Sequence, residues 1–257
     1  MARRAIETLR GTILPGGIVA TVALSLPSVD ERERAFFFHM AFAVLVTVLA
    51  GFGLFFAIGA SSIYSPWWVH LHGLSMTTWV GLFLAQNFLI HRGNLAAHRT
   101  LGLVAAGWSV WIFGLGLVVT ALDVKTGRVP PFFTPNYFLM MDWLNMVAFA
   151  ALAWAGIGMR AKSDWHKRLM LGAMLQLIAV AWGRLTLPFI FDQRGIWLVM
   201  VILLGYFGIA MIWDKRHRGA VHPAYYWGAG ALVAWVTLSF AIASLPPVLA
   251  LTKSLAG

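Results

Sequence analysis

The chain has 257 residues, of which 60% are hydrophobic and 11% charged, and its mean hydropathy is +0.80. Soluble domains carry about 25% charged and about 45–50% apolar residues, so a water-soluble fold would expose more apolar surface than it could hide, and the sequence reads as an integral membrane protein. There is no cysteine, which excludes disulfides, thiolate zinc sites and iron–sulfur clusters, and in such a chain the net charge of +10 is a topology signal, with no nucleic-acid partner implied.

The first apolar run, Ile13 to Leu26, contains Pro15-Gly16-Gly17 and follows Arg3, Arg4 and Arg10. It has the outline of a signal peptide but no small-residue cleavage site. Residues 1–35 are read as a retained cytoplasmic or interfacial arm, and the competing reading makes 12–27 an eighth helix. Seven runs of the length needed to cross about 30 Å of hydrocarbon follow, at about 36–57, 67–90, 101–122, 137–159, 168–190, 196–213 and 225–250. Ser65-Pro66, Pro130-Pro131, Pro135, Gly195 and Pro223 punctuate them.

Lys and Arg orient the bundle. With the N-terminus inside, the cytoplasmic side holds Arg3, Arg4, Arg10, Arg32, Arg34, Arg92, Arg99, Arg160, Lys162, Lys167, Arg168, Lys215, Arg216 and Arg218, and the outside only Lys125, Arg128, Arg194 and Lys253. That bias follows the positive-inside rule. The expected fold is an all-α polytopic membrane bundle with seven transmembrane helices over 36–250, N-terminus inside and C-terminus outside. A four-helix core at about 67–190 and a short external tail at 251–257 complete it.

Polar side chains inside a bilayer are costly and therefore functional candidates. His72 and Gln86 on the second span are 14 residues apart, about 21 Å at 1.5 Å per residue, which argues for two polar sites. The outer one would gather His70 or His72, Asp142, Asn145 and Arg184. Asp142 and Asn145 share a helix face at i, i+3, and an Arg184–Asp142 pair is the cheapest way to hold both charges. That pair would join helices, or Arg184 would receive a ligand's anionic group. His70 and His72 point about 200° apart on a regular helix, so a shared metal needs an irregular first turn; His72 is preferred as the inward residue, with Trp79 and Gln86 following at seven-residue steps. The inner site would gather Gln86, the His98-Arg99 opening of the third span and the His166-Lys167-Arg168 opening of the fifth. A helix N-terminus favours the neutral imidazole that metal ligation needs, and Arg99 and Lys167 are placed to meet propionates or lipid phosphates. Snorkelling residues that fix helix ends would look the same.

Other seven-helix functions lack their residues. No lysine lies in 225–250 for a retinal Schiff base, Asp142 is the only intramembrane carboxylate the predicted spans offer a proton relay, and the phosphate-loop, HExxH and GxSxG motifs are absent.

Between about 70 and 187 the order of a histidine early in a span (His70 or His72), a glutamine at its end (Gln86), His98-Arg99-x-x-Gly102, His166-Lys167-Arg168-x-Met170 and Arg184 resembles a bacterial family of predicted multi-pass membrane proteins, a domain of unknown function. The resemblance covers about half the chain, departs from the family at 167–169 and implies a bacterial inner (cytoplasmic) membrane but no reaction. A more distant similarity is to membrane b-type cytochromes, where histidines on two helices clamp a haem; His98 and His166 would be the clamp.

Three functions remain open: a redox or electron-transfer protein binding haem b or quinone; a non-redox transporter, sensor or accessory subunit with membrane-complex partners and a small hydrophobic or anionic ligand; and a zinc hydrolase built on His70, His72 and Asp142.

Overall fold

The computed structural model describes residues 28–257, so the arm at 12–27 and its arginines lie outside the described residues. Within them the chain is helical, with seven helices long and apolar enough to cross a membrane and an eighth, short one. They are α1 (Val29–Ala57), α2 (Trp67–His91), α3 (Leu95–Lys125), α4 (Pro135–Gly158), α5 (Ser163–Thr186), α6 (Gly195–Arg218), α7 (Ala224–Ala243) and α8 (Pro246–Ala256).

Local chemistry sets the ends. Ser28 and Glu31 form a reciprocal capping box, Ser28 N donating to Glu31 Oε2 at 2.8 Å and Glu31 N to Ser28 Oγ at 3.2 Å. Helix α1 therefore begins seven residues before the expected span, and the charged run 30–34, read from sequence as part of the arm, is its first turns. Asn94 caps α3 through the Ala97 amide, Pro135 opens α4, and Gly219 ends α6 at φ +82°, a conformation that favours glycine. The expected seventh span is divided: α7 stops at Ala243, and Pro246-Pro247 starts α8 after a break at Leu245, so the expected external tail is helical as far as Ala256.

The helices form a ring. Consecutive neighbours α1 to α5 pack side by side and α1 closes on α5, while α6 and α7 lie outside against α5 and α4. The core is thus wider than the expected four helices, because α1 supplies a wall. Helix α5 is the most buried of the seven and α2 the least. Gly51 brings α1 and α5 to backbone contact; a Cβ there would sit 2.5 Å from the Ala181 carbonyl oxygen. The buried residues of α1 (Glu33, Phe37, Met40, Ala41, Val44, Thr47 and Gly51) fall at three- and four-residue steps, one stripe facing the ring.

An ionic cluster ties α1, α5 and α6 at the basic end. Arg168 is fully buried and all five of its N–H groups have acceptors. Nε and NH2 take Asp214 at 3.0 and 2.7 Å, NH2 also takes Glu33 at 2.9 Å, and NH1 takes the carbonyl and carboxylate of Asp164 at 3.0 and 3.3 Å. Lys167 and Arg218 complete it against Glu33 and Asp164. Three carboxylates meet three cations, so the cluster is neutral. Beside it in the α6–α7 turn, burial and then the Arg168 charge hold His222 below the ordinary imidazole range, and its Nδ1 accepts from the Ala224 amide at 3.2 Å.

Candidate functional site

Two cavities open into the bundle, one toward each end. Along α2, His72 lines the distal one while Trp79 and Gln86 line the one at the basic end, as the seven-residue stripe predicts. Trp79 lies edge to face with Phe149 at 5.5 Å, and both rings are buried.

The basic-end cavity measures about 1390 Å³ and is lined by α1 to α5 with Arg218 of α6. His98, in the first turn of α3, and His166, in the first turn of α5, meet across it. Their ring centroids are 6.2 Å apart and their planes cross at 80°. The His166 ring is fixed by its Nδ1 against the Gly156 carbonyl at 2.8 Å, which places the proton on Nδ1 and leaves the Nε2 lone pair free. An imidazole oriented in this way through its second nitrogen is the usual arrangement of a metal-ligating histidine. His98 Nδ1 and Gln86 Oε1 are buried in the same region with no partner. Gly102 leaves room for the glutamine: a Cβ at that position would lie 3.6 Å from Gln86 Nε2.

The cations divide into two groups. Arg99 and Arg160 line the cavity, and Arg160 has only the Ile157 carbonyl as partner. Lys167, expected from sequence to meet an anionic group, is instead committed to Glu33 and Asp164 at 2.6 and 2.7 Å. Arg168, expected in the basic cytoplasmic surface, is the fully buried centre of the ionic cluster. Glu33 and Asp164 reorganise both, and Asp214 adds to them at Arg168 alone; the sequence reading left all three unused.

The distal cavity, about 360 Å³, is lined by His72, Thr120, Asp123, Asp142, Asn145 and Arg184, with Arg128 and Asp192 as further charged residues, among largely apolar walls. The sequence-predicted outer residues therefore do gather, yet the expected Arg184–Asp142 pair is not formed. Arg184 donates to the Val180 carbonyl at 3.1 Å, and its guanidinium lies over Phe52, 4.1 Å from the ring centroid. Asp142 accepts from Thr120 Oγ1 at 3.3 Å. Phe52 and Phe55 of α1, a helix outside the expected core, hold the arginine in its place, with the Phe55 ring centroid 5.2 Å from the guanidinium. Asp123 joins the group although the sequence reading put it just beyond its span. His70 does not join; it is exposed, with Nε2 against the Ile63 carbonyl at 3.0 Å. The opposed directions of i and i+2 on a regular helix explain the separation from His72. Among the described residues no group of three or more His, Cys, Asp or Glu is placed to hold a metal ion.

Comparison with family models, with curated proteins and with solved structures returns no match.

Proposed function

We propose that this integral membrane protein is a redox protein of a bacterial cytoplasmic membrane, with its basic end on the cytoplasmic side, that carries haem b in the basic-end cavity between His98 and His166. One observation carries the reading: the two imidazoles come from different helices and face each other at a centroid separation of 6.2 Å. That separation leaves room for one metal ion between the two rings, so His98 and His166 would hold a haem iron, and the cavity, about 1390 Å³, leaves space for a flat cofactor.

The chain's own residues have distinct parts in this reading. His98 and His166 hold the metal, and the Gly156 carbonyl sets the His166 tautomer. Arg99 and Arg160 meet carboxylates at the cavity wall, while Trp79 and Phe83 close the apolar side. Haem iron, when bound, supplies one-electron redox chemistry. The test is haem and iron content of the protein purified in mild detergent after expression with a haem precursor. Wild type should carry about one haem per chain, and His98→Ala and His166→Ala should each lose it. Equal haem content in all three would refute the ligand assignment.

A further inference from the structure

The distal cavity is unused by the haem reading, and its polar groups are incomplete. Arg184 Nε, Asn145 Oδ1 and His72 Nδ1 are all buried without a partner, and all three residues line the cavity. Asn145 is the most informative of them. It is 2% exposed, and its amide nitrogen is tied to the Gln176 carbonyl at 3.2 Å, which fixes the orientation of the unpaired oxygen in a residue that lines the cavity. Buried polar groups in folded proteins are nearly always satisfied, and a set of exceptions around one cavity calls for an explanation. A ligand that completes them supplies it.

The free groups state the ligand's chemistry. Arg184 requires an acceptor. Asp142 and Asn145 require donors. A cationic ligand would meet Arg184 and Arg128, and an anionic one would meet Asp123, Asp142 and Asp192 in a medium that screens poorly. A zwitterion matches the signs but would have to shed its hydration against Phe52, Phe133, Val48, Met141 and Met146. A neutral planar ring bearing oxygens on opposite edges meets neither penalty. Its carbonyl form accepts from Arg184, and its hydroxyl form donates to Asp142 or Asn145. The cavity volume is within the usual range of small-ligand pockets, about 300–1,000 Å³.

We infer that the distal cavity is a binding site for the headgroup of a quinone or quinol, held between Arg184 on one edge and Asp142 with Asn145 on the other. The site stands on its own residues and does not depend on haem being present in the other cavity.

Duroquinone is the probe, titrated into the full chain in mild detergent. Quenching of tryptophan fluorescence is read against N-acetyltryptophanamide in the same micelles, since Trp235 lines the cavity. Wild type should show saturable quenching beyond that control. Arg184→Met and Asn145→Leu should each weaken binding by about tenfold or more, as loss of a buried hydrogen bond to a polar ligand does. Gly73→Leu supplies a second route: Gly73 lines the cavity and a Cβ there meets open space, so the side chain should fill the site while the helix is retained, abolishing saturation. Binding that persists in His98→Ala would separate this site from the haem reading. Quenching that follows the control in wild type, or an unchanged dissociation constant in the cavity variants that keep their helical circular dichroism, would overturn the assignment. So would displacement of duroquinone by leucine or glycine betaine, which would identify a zwitterion site.

Discussion

Arg168→Met removes the centre of a charge cluster that the structure leaves no means of rebuilding. Asp214 and Arg168 are both fully buried, and the guanidinium gives two of its hydrogen bonds to that carboxylate. Methionine fills similar volume but leaves Asp214 with only the His222 amide at 3.2 Å. Glu33 is better protected, because Lys167 and Arg218 each remain at 2.6 Å. One uncompensated buried carboxylate is therefore the dominant loss, and breaking such a pair costs about 3–5 kcal/mol. The contacts to Asp164 add little, since its side chain is 41% exposed and solvent screens it. The assay is unfolding by SDS in mixed micelles, followed by tryptophan fluorescence. The double variant Arg168→Met/Asp214→Leu removes both charges and should recover much of the loss, as apolar replacements of buried ion pairs do. A cost below about 1 kcal/mol for the single variant, or a double variant no more stable than the single, would refute the view that burial of Asp214 makes Arg168 indispensable.

Three further outcomes follow from other parts of the structure. Gly51→Ala should destabilise the fold by about 1–3 kcal/mol, since the added methyl meets the Ala181 backbone, whereas Gly53→Ala, which meets open space, should be neutral or slightly stabilising in the same unfolding assay. Stability should fall as pH drops from about 7.5 to 5.5, because His222 titrates below its ordinary range when folded and at about 6.5 when unfolded, so the unfolded chain takes up the proton first; His222→Gln should flatten that dependence, and an unchanged slope would count against it. If haem is bound as proposed, the 80° crossing of the two imidazole planes should give a strongly anisotropic low-spin ferric signal in electron paramagnetic resonance, and a rhombic spectrum of the kind parallel planes produce would contradict the side-chain arrangement.

Hydrophobic run length was enough to place seven helices, because a bilayer demands that every backbone polar group be satisfied within the span. It misplaced the ends for local reasons. The start of α1 carried a legible signal, Ser28 three residues before Glu31, but the charged run 30–34 was read as part of the cytoplasmic or interfacial arm. Glu33 instead points inward at helical spacing with Phe37 and is neutralised by Arg168, Lys167 and Arg218, partners from helices more than 130 residues away. No local pattern announces such a pairing. The same limit applies at the distal cavity. Spacing brought Asp142, Asn145 and Arg184 to similar depth, but the stacking of Arg184 on Phe52 depends on how α1 closes the ring. His98 and His166 were legible because each opens a span at the same end of the bundle; their mutual distance is a property of the packing of α3 against α4 and α4 against α5.

The visible spectrum of the detergent-purified protein, oxidised and then reduced with dithionite, tests the central claim most directly, with iron and zinc measured on the same sample. The account predicts a Soret band, a sharp α band on reduction and iron close to one per chain. A colourless protein free of iron after expression with a haem precursor would contradict it.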